Sequence, residues 1–211
     1  MKIKIFKYTA ILACCFLVLS SCEKDYENFI TKVTYYADIE YDPVVIVEKG
    51  GSYTASATAT EAGVELEVII TGAEDVDVNT IGVYEVGYSA VNSDGYTGSV
   101  TQLVIVHNPN GSGADVAGKI YDIAHEPTTA GRNGEISLVA GTSNMWYCTD
   151  MGGSGILPVY FEMNGDDMNI VEQPWDYADV NGAEGIYDPV SRTFDITFST
   201  GWNYVFAYVS E

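Results

Sequence analysis

The chain has 211 residues, and its 30 acidic side chains far outnumber its 9 lysines and arginines, so the formal net charge is −21 at pH 7. Nucleic acids and anionic lipid head groups are bound mainly through lysine and arginine, so we expect neither as a partner. The charge is compatible with a soluble surface, with a neutral partner such as a glycan, or with calcium, which takes carboxylate oxygens as ligands.

Residues 1–22 have the form of a bacterial export signal. Three lysines at positions 2, 4 and 7 precede an apolar run over residues 10–19, which is shorter than the roughly 20 residues of a membrane-spanning helix. The closing sequence Leu-Ser-Ser-Cys at positions 19–22 resembles the bacterial lipobox. The resemblance implies removal of residues 1–21 and anchoring of Cys22 on a membrane by acyl chains such as palmitate. Simple secretion, with Cys22 as a plain cysteine, is the alternative.

A polar tether, residues 22–31, follows the cleavage point. Its sequence Glu-Lys-Asp-Tyr-Glu-Asn at positions 23–28 is similar to the lysine-and-acid segment that directs Bacteroidetes lipoproteins to the outer face of the outer membrane. That similarity implies an outer-membrane protein facing the cell exterior, whereas a solvated tether with no address is the alternative. Removal of residues 1–21 takes away three of the nine basic side chains and no acid, so the mature net charge is about −24.

The composition of the mature chain favours strands. About 190 residues allow two small domains, each with its own core. The chain has 16 tyrosines, 3 tryptophans and 21 glycines, with many Val, Ile and Thr, and we therefore expect an all-β protein. Cys148 has no partner once Cys14 and Cys15 leave with the signal and Cys22 is acylated. We expect no disulfide, and we expect Cys148 to be a small buried hydrophobic side chain.

The N-terminal domain, residues 32–108, is predicted to be a small β-sandwich. Its last strand carries Val104 and Val106 on one face and Leu103 and Ile105 on the other, which predicts a strand covered on both sides toward its end. Turn residues separate five segments that are predicted to be strands, namely 44–47, 53–60, 64–71, 83–90 and 96–107.

The same domain resembles the bacterial surface immunoglobulin-like domains. The shared features are a Gly-x-Tyr strand at positions 82–84, a Tyr-x-Ala sequence at 88–90, an Asp-Gly turn at 94–95 and a last strand that ends in alternating valines. The resemblance implies an immunoglobulin-like β-sandwich. Such modules serve as spacers and as binders, and we expect a spacer here.

Residues 109–115, Pro-Asn-Gly-Ser-Gly-Ala-Asp, have the composition of a flexible linker. The C-terminal domain, residues 116–211, then follows a strand pattern throughout. Its predicted strands are sufficient for a small antiparallel β-barrel, lipocalin-like in strand number, or for a sandwich. They are 118–124, 134–140, 144–149, 157–163, 168–172, 182–187, 193–199 and 202–209.

Parts of the C-terminal domain resemble the barrel-like domain of Bacteroidetes surface lipoproteins. The shared features are an Asp-x-Gly-Gly turn at 150–153, a Gly-x-Tyr-Asp-Pro turn at 185–189 and the strand at 193–198. Those proteins are often associated with outer-membrane glycan uptake machinery of the starch-utilisation type, so the resemblance implies an outer-membrane transport complex as a partner. The motifs shape turns and strands, and they imply no binding residue.

Three tryptophans in about the last 70 residues are the candidate ligand contacts. Aromatic rings stack on the apolar faces of sugars, while carboxylates and amides bind the hydroxyls. Trp175 is the strongest candidate, because it lies on a predicted loop beside Asp176 and Tyr177. Trp146 and Trp202 lie in predicted strands, where packing in a core is the alternative.

The sequence indicates no metal, no cofactor and no enzyme activity. Residues 75–79 begin like a calcium loop, but Thr80 and Val86 stand where such a loop needs glycine and glutamate. The segment 76–79 is expected instead to be a half-buried strand edge. Carboxylates are plentiful, yet no spacing singles out a glycosidase pair, and the common nucleophile, metal and phosphate-binding motifs do not occur.

Together these patterns predict a surface-exposed outer-membrane lipoprotein whose immunoglobulin-like spacer presents a β domain that binds extracellular glycan noncovalently, as an accessory of polysaccharide uptake. The competing hypothesis is a non-catalytic structural or protein-interaction module of an outer-membrane complex. An exposed, concave platform around Trp175 would favour the glycan. A buried indole beside a flat acidic surface would favour the interaction module.

Overall fold

The structure is a computed structural model that describes residues 34–125, 133–151, 157–175, 180–198, 201 and 203–209. Cys22, Asp176, Tyr177 and Trp202 lie outside these residues. The described part is all-β, as predicted, with an immunoglobulin-like domain followed by an antiparallel barrel. Its helical content is one 3-10 turn at Ala73–Asp75, and no helix in these ranges has the length and apolar character needed to span a membrane.

The immunoglobulin-like domain consists of two sheets. Its strands are β1 (Asp38–Tyr41), β2 (Val44–Glu48), β3 (Ala57–Glu61), β4 (Val64–Leu66), β5 (Ile69–Thr71), β6 (Gly82–Val91) and β7 (Thr97–His107). One sheet has the order β1-β3-β4 and the other has the order β2-β7-β6-β5, with β2 parallel to β7. Side chains from both sheets form one core, in which Val86, Tyr88 and Val104 are fully buried.

Two segments of this domain differ from the predicted strands. Segment 64–71 divides into β4 and β5, which belong to different sheets. Segment 76–79 is a turn rather than a strand edge, because the carboxylate of Asp77 accepts the N–H of Asn79 at 2.9 Å and the hydroxyl of Thr80 at 2.7 Å. Such side-chain hydrogen bonds compete with the pairing of the backbone in a sheet.

The C-terminal domain is a closed barrel of antiparallel strands, which decides between the predicted barrel and sandwich. Its strands are β8 (Gly118–Asp122), β9 (Asn133–Leu138), β10 (Met145–Cys148), β11 (Val159–Asn164), β12 (Asp167–Ile170), β13 (Glu184–Asp188), β14 (Thr193–Thr197) and β15 (Asn203–Tyr208). Each strand pairs with the next along the chain, and β15 pairs with β8 to close the barrel. Every one of them falls on a predicted strand.

Side chains fill the interior of the barrel. Phe161, Phe194, Phe206 and Met163 are each at most 1% exposed. Because successive side chains of a strand point to opposite faces, the residues between them point outward. The lipocalin-like expectation therefore holds for strand number and order. The two grooves described below lie on the surface of the barrel.

The predicted linker, residues 109–115, is bound to the barrel along its backbone. The N–H of Ala114 donates to the carbonyl of Gly165 at 2.8 Å, and the N–H of Gly165 donates to the carbonyl of Ser112 at 3.0 Å. Gly113 lies so close to Met163 that a Cβ at this position would overlap it. The segment is therefore held on the turn between β11 and β12, and its glycine serves close packing rather than flexibility.

Candidate functional site

The immunoglobulin-like domain packs against the outside of the barrel. Val83 and Ile105, from β6 and β7, form a buried cluster with Met145 from β10 and Val171 after β12. The N–H of Val83 also donates to the carbonyl of Glu172 at 2.8 Å. The prediction that β7 is buried on both faces is confirmed. Ile105 faces the barrel, and Val104 and Val106 lie in the core of the sandwich. This interface covers part of the outer face of β10–β12.

Trp175 lies at the edge of this interface. Its indole N–H donates to the carbonyl of Pro158 at 2.7 Å, and its ring centroid is 6.0 Å from that of Tyr160. On the other side of Tyr160, the ring centroid of Tyr147 lies 4.7 Å from that of Tyr160. We call the half-buried rings of Tyr147, Tyr160 and Trp175 the aromatic row. Burial raises the pKa of both tyrosines, so the row is partly withdrawn from water while each ring keeps some exposed surface.

Trp146 does not belong to the aromatic row. Its side chain lies in the core of the barrel and is 4% exposed, and its indole N–H has no hydrogen-bond partner. A sugar cannot stack on a ring that is buried in this way, so the predicted ligand role of Trp146 is corrected to core packing. The other predicted contacts, Asp176, Tyr177 and Trp202, lie outside the described residues.

A groove of about 930 Å³ runs over the outer face of β12–β15. We call it the polar groove, and none of the interface residues Val83, Ile105, Met145 and Val171 lines it. Its carboxylates, amides and hydroxyls surround Ile186, an apolar side chain that is 61% exposed. The outward-pointing polar side chains are Asp167, Asn169, Glu184, Asp195, Thr197 and Asn203.

Hydrogen bonds order one side of the polar groove. The side-chain amide of Asn203 donates to the carboxylate of Asp195, and it donates to the hydroxyl of Thr197 at 3.2 Å. These residues lie on the paired strands β14 and β15. The alternation of polar and apolar residues along the strands could have predicted a polar outer face here. With 30 acidic side chains in the chain, however, the sequence alone does not distinguish this cluster from others.

The shifted pKa values of two groups have structural causes. The hydroxyl of Ser191 and the N–H of Val190 hold the pKa of Asp188 below its usual value, whereas a general acid at neutral pH needs a raised pKa. Burial raises the pKa of Cys148 to about 12, which keeps this free thiol protonated and unreactive. In the ranges that the structure describes, no three His, Cys, Asp or Glu side chains are grouped as a metal site requires.

Residues 37–106 match the family described as bacterial surface protein, Ig-like domain, in agreement with the two-sheet fold of that part of the chain. The chain is also similar in structure to the lipoprotein BT2262 from Bacteroides thetaiotaomicron, whose crystal structure is known. The TM-score is 0.39 and the sequence identity 21%, with 81% of this chain and 98% of that chain covered. No curated protein sequence matches the chain.

Proposed function

We propose that the protein is a lipoprotein exposed on the bacterial outer membrane, anchored through Cys22, whose barrel binds extracellular glycan noncovalently as an accessory of polysaccharide uptake. The match of residues 37–106 to a bacterial surface immunoglobulin-like domain supports the surface placement. The lipobox-like sequence that ends in Cys22 supports the anchor. The proposed role is binding alone, because no spacing of carboxylates in the sequence singles out a glycosidase pair.

The polar groove is the observation that carries the glycan proposal. A sugar presents hydroxyls around its ring and apolar C–H groups on its faces. The groove offers carboxylates, amides and hydroxyls around the exposed side chain of Ile186. Its volume of about 930 Å³ is within the range of about 300–1,000 Å³ that is typical of small-ligand sites. A neutral sugar also suits a chain with a formal charge of −21.

The placement of the polar groove keeps it accessible. The interface with the immunoglobulin-like domain uses Met145 and Val171 on the barrel, whereas the groove is lined largely by β12, β13 and β14. The immunoglobulin-like domain can therefore hold one part of the barrel while the polar groove binds an extracellular polysaccharide. The buried interface fixes this arrangement within the compact unit of residues 36–211.

The aromatic row is a second surface for the same function. The rings of Tyr147 and Tyr160 are inclined by 42°, and those of Tyr160 and Trp175 by 54°. Exposed parts of rings inclined in this way would follow a curved sugar chain rather than a flat one. The polar groove ranks first because the indole of Trp175 already bonds Pro158 and packs on the interface.

Affinity electrophoresis of the mature chain tests the proposal, with Cys22→Ser to keep the protein free of lipid and with neutral polysaccharides cast into the gels. We expect retention on at least one plant, host or microbial polysaccharide. Ile186→Ala and Asn203→Ala should weaken it, and both side chains are exposed, so the fold should be retained. Val190→Ala, at a side chain that is 92% exposed in the turn after β13, is the matched control.

Two other results would redirect the conclusion. Loss of retention in Tyr147→Ala, with the circular dichroism spectrum of the wild type and with Ile186→Ala unchanged, would move the sugar site to the aromatic row. Failure of the mature chain to be retained by any neutral polysaccharide would overturn glycan binding at the polar groove and favour an interaction module.

The exposed edge of the immunoglobulin-like domain favours that second candidate, a structural or protein-interaction module. Strand β5 lies at the edge of its sheet, and its Ile69 and Ile70 are 51% and 41% exposed. An exposed apolar edge is a ready template for pairing with a strand of another protein. Capture of an outer-membrane protein by the wild type but not by Ile70→Lys, with Val190→Lys as the control, would support this candidate. Equal capture by both variants would exclude the β5 edge.

A further inference from the structure

A second groove, of about 950 Å³, lies at one end of the barrel, where β8 begins, β15 ends and the turn between β13 and β14 passes. We call it the basic groove. It shares no lining residue with the polar groove. Its lining includes Gly118, Lys119, Glu135, Ser191, Arg192 and Tyr208.

Positive charge is concentrated in the basic groove, although the mature chain has 6 basic side chains against 30 acidic ones. The lysines and arginines among the described residues are Lys49, Lys119 and Arg192, and two of the three line this groove. Glu135, opposite Lys119 in the β8–β9 pair, contributes one carboxylate, and Asp115 lies nearby. Within the described part of the chain, no ion pair joins Lys119 or Arg192 to a carboxylate.

The guanidinium of Arg192 lies on a fixed aromatic platform. Its central carbon is 4.4 Å from the ring centroid of Tyr208. The hydroxyl of Tyr208 donates to the carbonyl of Val116 at 2.6 Å, and its ring also packs near Tyr187 and Phe194. A guanidinium that lies over a ring keeps the N–H groups of its fork available to donate to an oxyanion.

The backbone of Arg192 has an unusual conformation. Its φ of 54° lies in the left-handed region, which glycine adopts at much lower cost. The turn itself is closed by other groups, since the carboxylate of Asp188 accepts the N–H of Val190 at 2.8 Å and the hydroxyl of Ser191 at 2.7 Å. Non-glycine residues in such conformations cluster at functional sites, although Ala62 has a similar φ of 50° in another turn. The strained backbone is therefore compatible with a use for the Arg192 side chain, and the groove and the cation–π contact carry the inference.

We propose that the basic groove binds an oxyanion, a carboxylate or a sulfate, carried by a sugar chain, with Arg192 as the main contact and Lys119 as the second charge. This site is separate from the polar groove, and the proposal rests on the proposed function only in taking the carrier to be a glycan. The remaining surface is strongly acidic and repels long polyanions, so the fitting ligand is a short acidic oligosaccharide or a single acidic sugar within a neutral chain.

Calorimetric titration of the mature chain with trigalacturonate tests this inference, with the methyl ester of the same trisaccharide as the uncharged control and a chondroitin sulfate tetrasaccharide as the sulfate arm. We expect one of the two acidic probes to bind and the ester to bind far more weakly. Arg192→Gly suits the positive φ and should retain the melting temperature, yet it should weaken binding by at least about tenfold, since charge-assisted hydrogen bonds are the strong ones. Arg192→Lys should weaken it less, and Val190→Ala should leave it unchanged.

Three results would overturn the proposal. The first is that neither acidic oligosaccharide binds, and the second is that the methyl ester binds as tightly as trigalacturonate. The third is that Arg192→Gly binds like the wild type. A failure here is distinguishable from failure at the polar groove, because retention on neutral polysaccharide should depend on Ile186 and Asn203 and not on Arg192.

Discussion

Replacement of Trp175 by alanine should destabilise the protein by about 3–4 kcal/mol. A fully buried tryptophan removes about 150–250 Å² from water, so this half-buried indole removes on the order of 100 Å², which corresponds to about 2.5 kcal/mol at 25 cal/mol per Å². The hydrogen bond from the indole N–H to the carbonyl of Pro158, at 2.7 Å, adds about 1 kcal/mol. Trp175→Phe keeps most of the apolar contact with Tyr160 and should cost about 1–2 kcal/mol.

Urea unfolding followed by far-ultraviolet circular dichroism measures both variants, with the exposed Val190→Ala as the control. The midpoint should fall in the order control, Trp175→Phe, Trp175→Ala, with little change in the slope. A midpoint for Trp175→Ala equal to that of the wild type would refute the reasoning, because the indole would then contribute nothing at the interface.

Three further predictions concern stability and thiol reactivity. Tyr88→Phe should cost about 1–2 kcal/mol in urea unfolding, because it removes a hydroxyl that accepts the N–H of Ser56 at 3.2 Å. Cys148 should resist iodoacetamide at pH 8 until the chain unfolds. Since burial raises its pKa from 9.0 to about 12, the unfolded state loses the proton first, and stability should fall as the pH rises from about 9 to 12. Gly118→Ala should lower stability by about 1–3 kcal/mol in the same unfolding assay, because a Cβ would lie 2.9 Å from the ring of Tyr208 at a φ of +141°.

The barrel strands could be predicted because their sequence pattern has a direct geometric cause. In β12, for example, Met168 and Ile170 face the core while Asp167 and Asn169 face solvent. Alternation of this kind identifies a strand and its buried face. Closure could not be predicted in the same way, because it depends on pairs such as Tyr208 with Ile120, which are distant in the sequence. The pattern is therefore equally compatible with a sandwich.

Local side-chain chemistry explains the errors in the N-terminal domain. The valines of segment 76–79 alternate as in a strand, but Asp77 bonds the backbone two residues later and forms a turn. Segment 64–71 has the composition of one strand, yet it supplies strands to two sheets. The hydrophobic pattern predicts extended backbone, but it does not show where the chain passes from one sheet to the other.

The candidate sites were harder to predict because they join residues that are distant in sequence. The sequence places Trp175 on a loop with acidic and aromatic neighbours, but the carbonyl of Pro158 that fixes its indole is found only in the fold. Lys119 and Arg192 reach one groove because β15 pairs with both β8 and β14. The positive φ of Arg192 is likewise a property of the folded turn.

The outer surface of the barrel has two chemically different sides. The side that meets the immunoglobulin-like domain contributes Met145 and Val171, both buried. The side formed by β13–β15 is polar around Ile186, although a closed barrel needs no polarity there for its own core. The side that meets the immunoglobulin-like domain is buried and the side that lines the polar groove is exposed to water, which is sufficient to explain the difference in polarity. The exposed polar side is therefore the part of the outer face that the proposed ligand would contact.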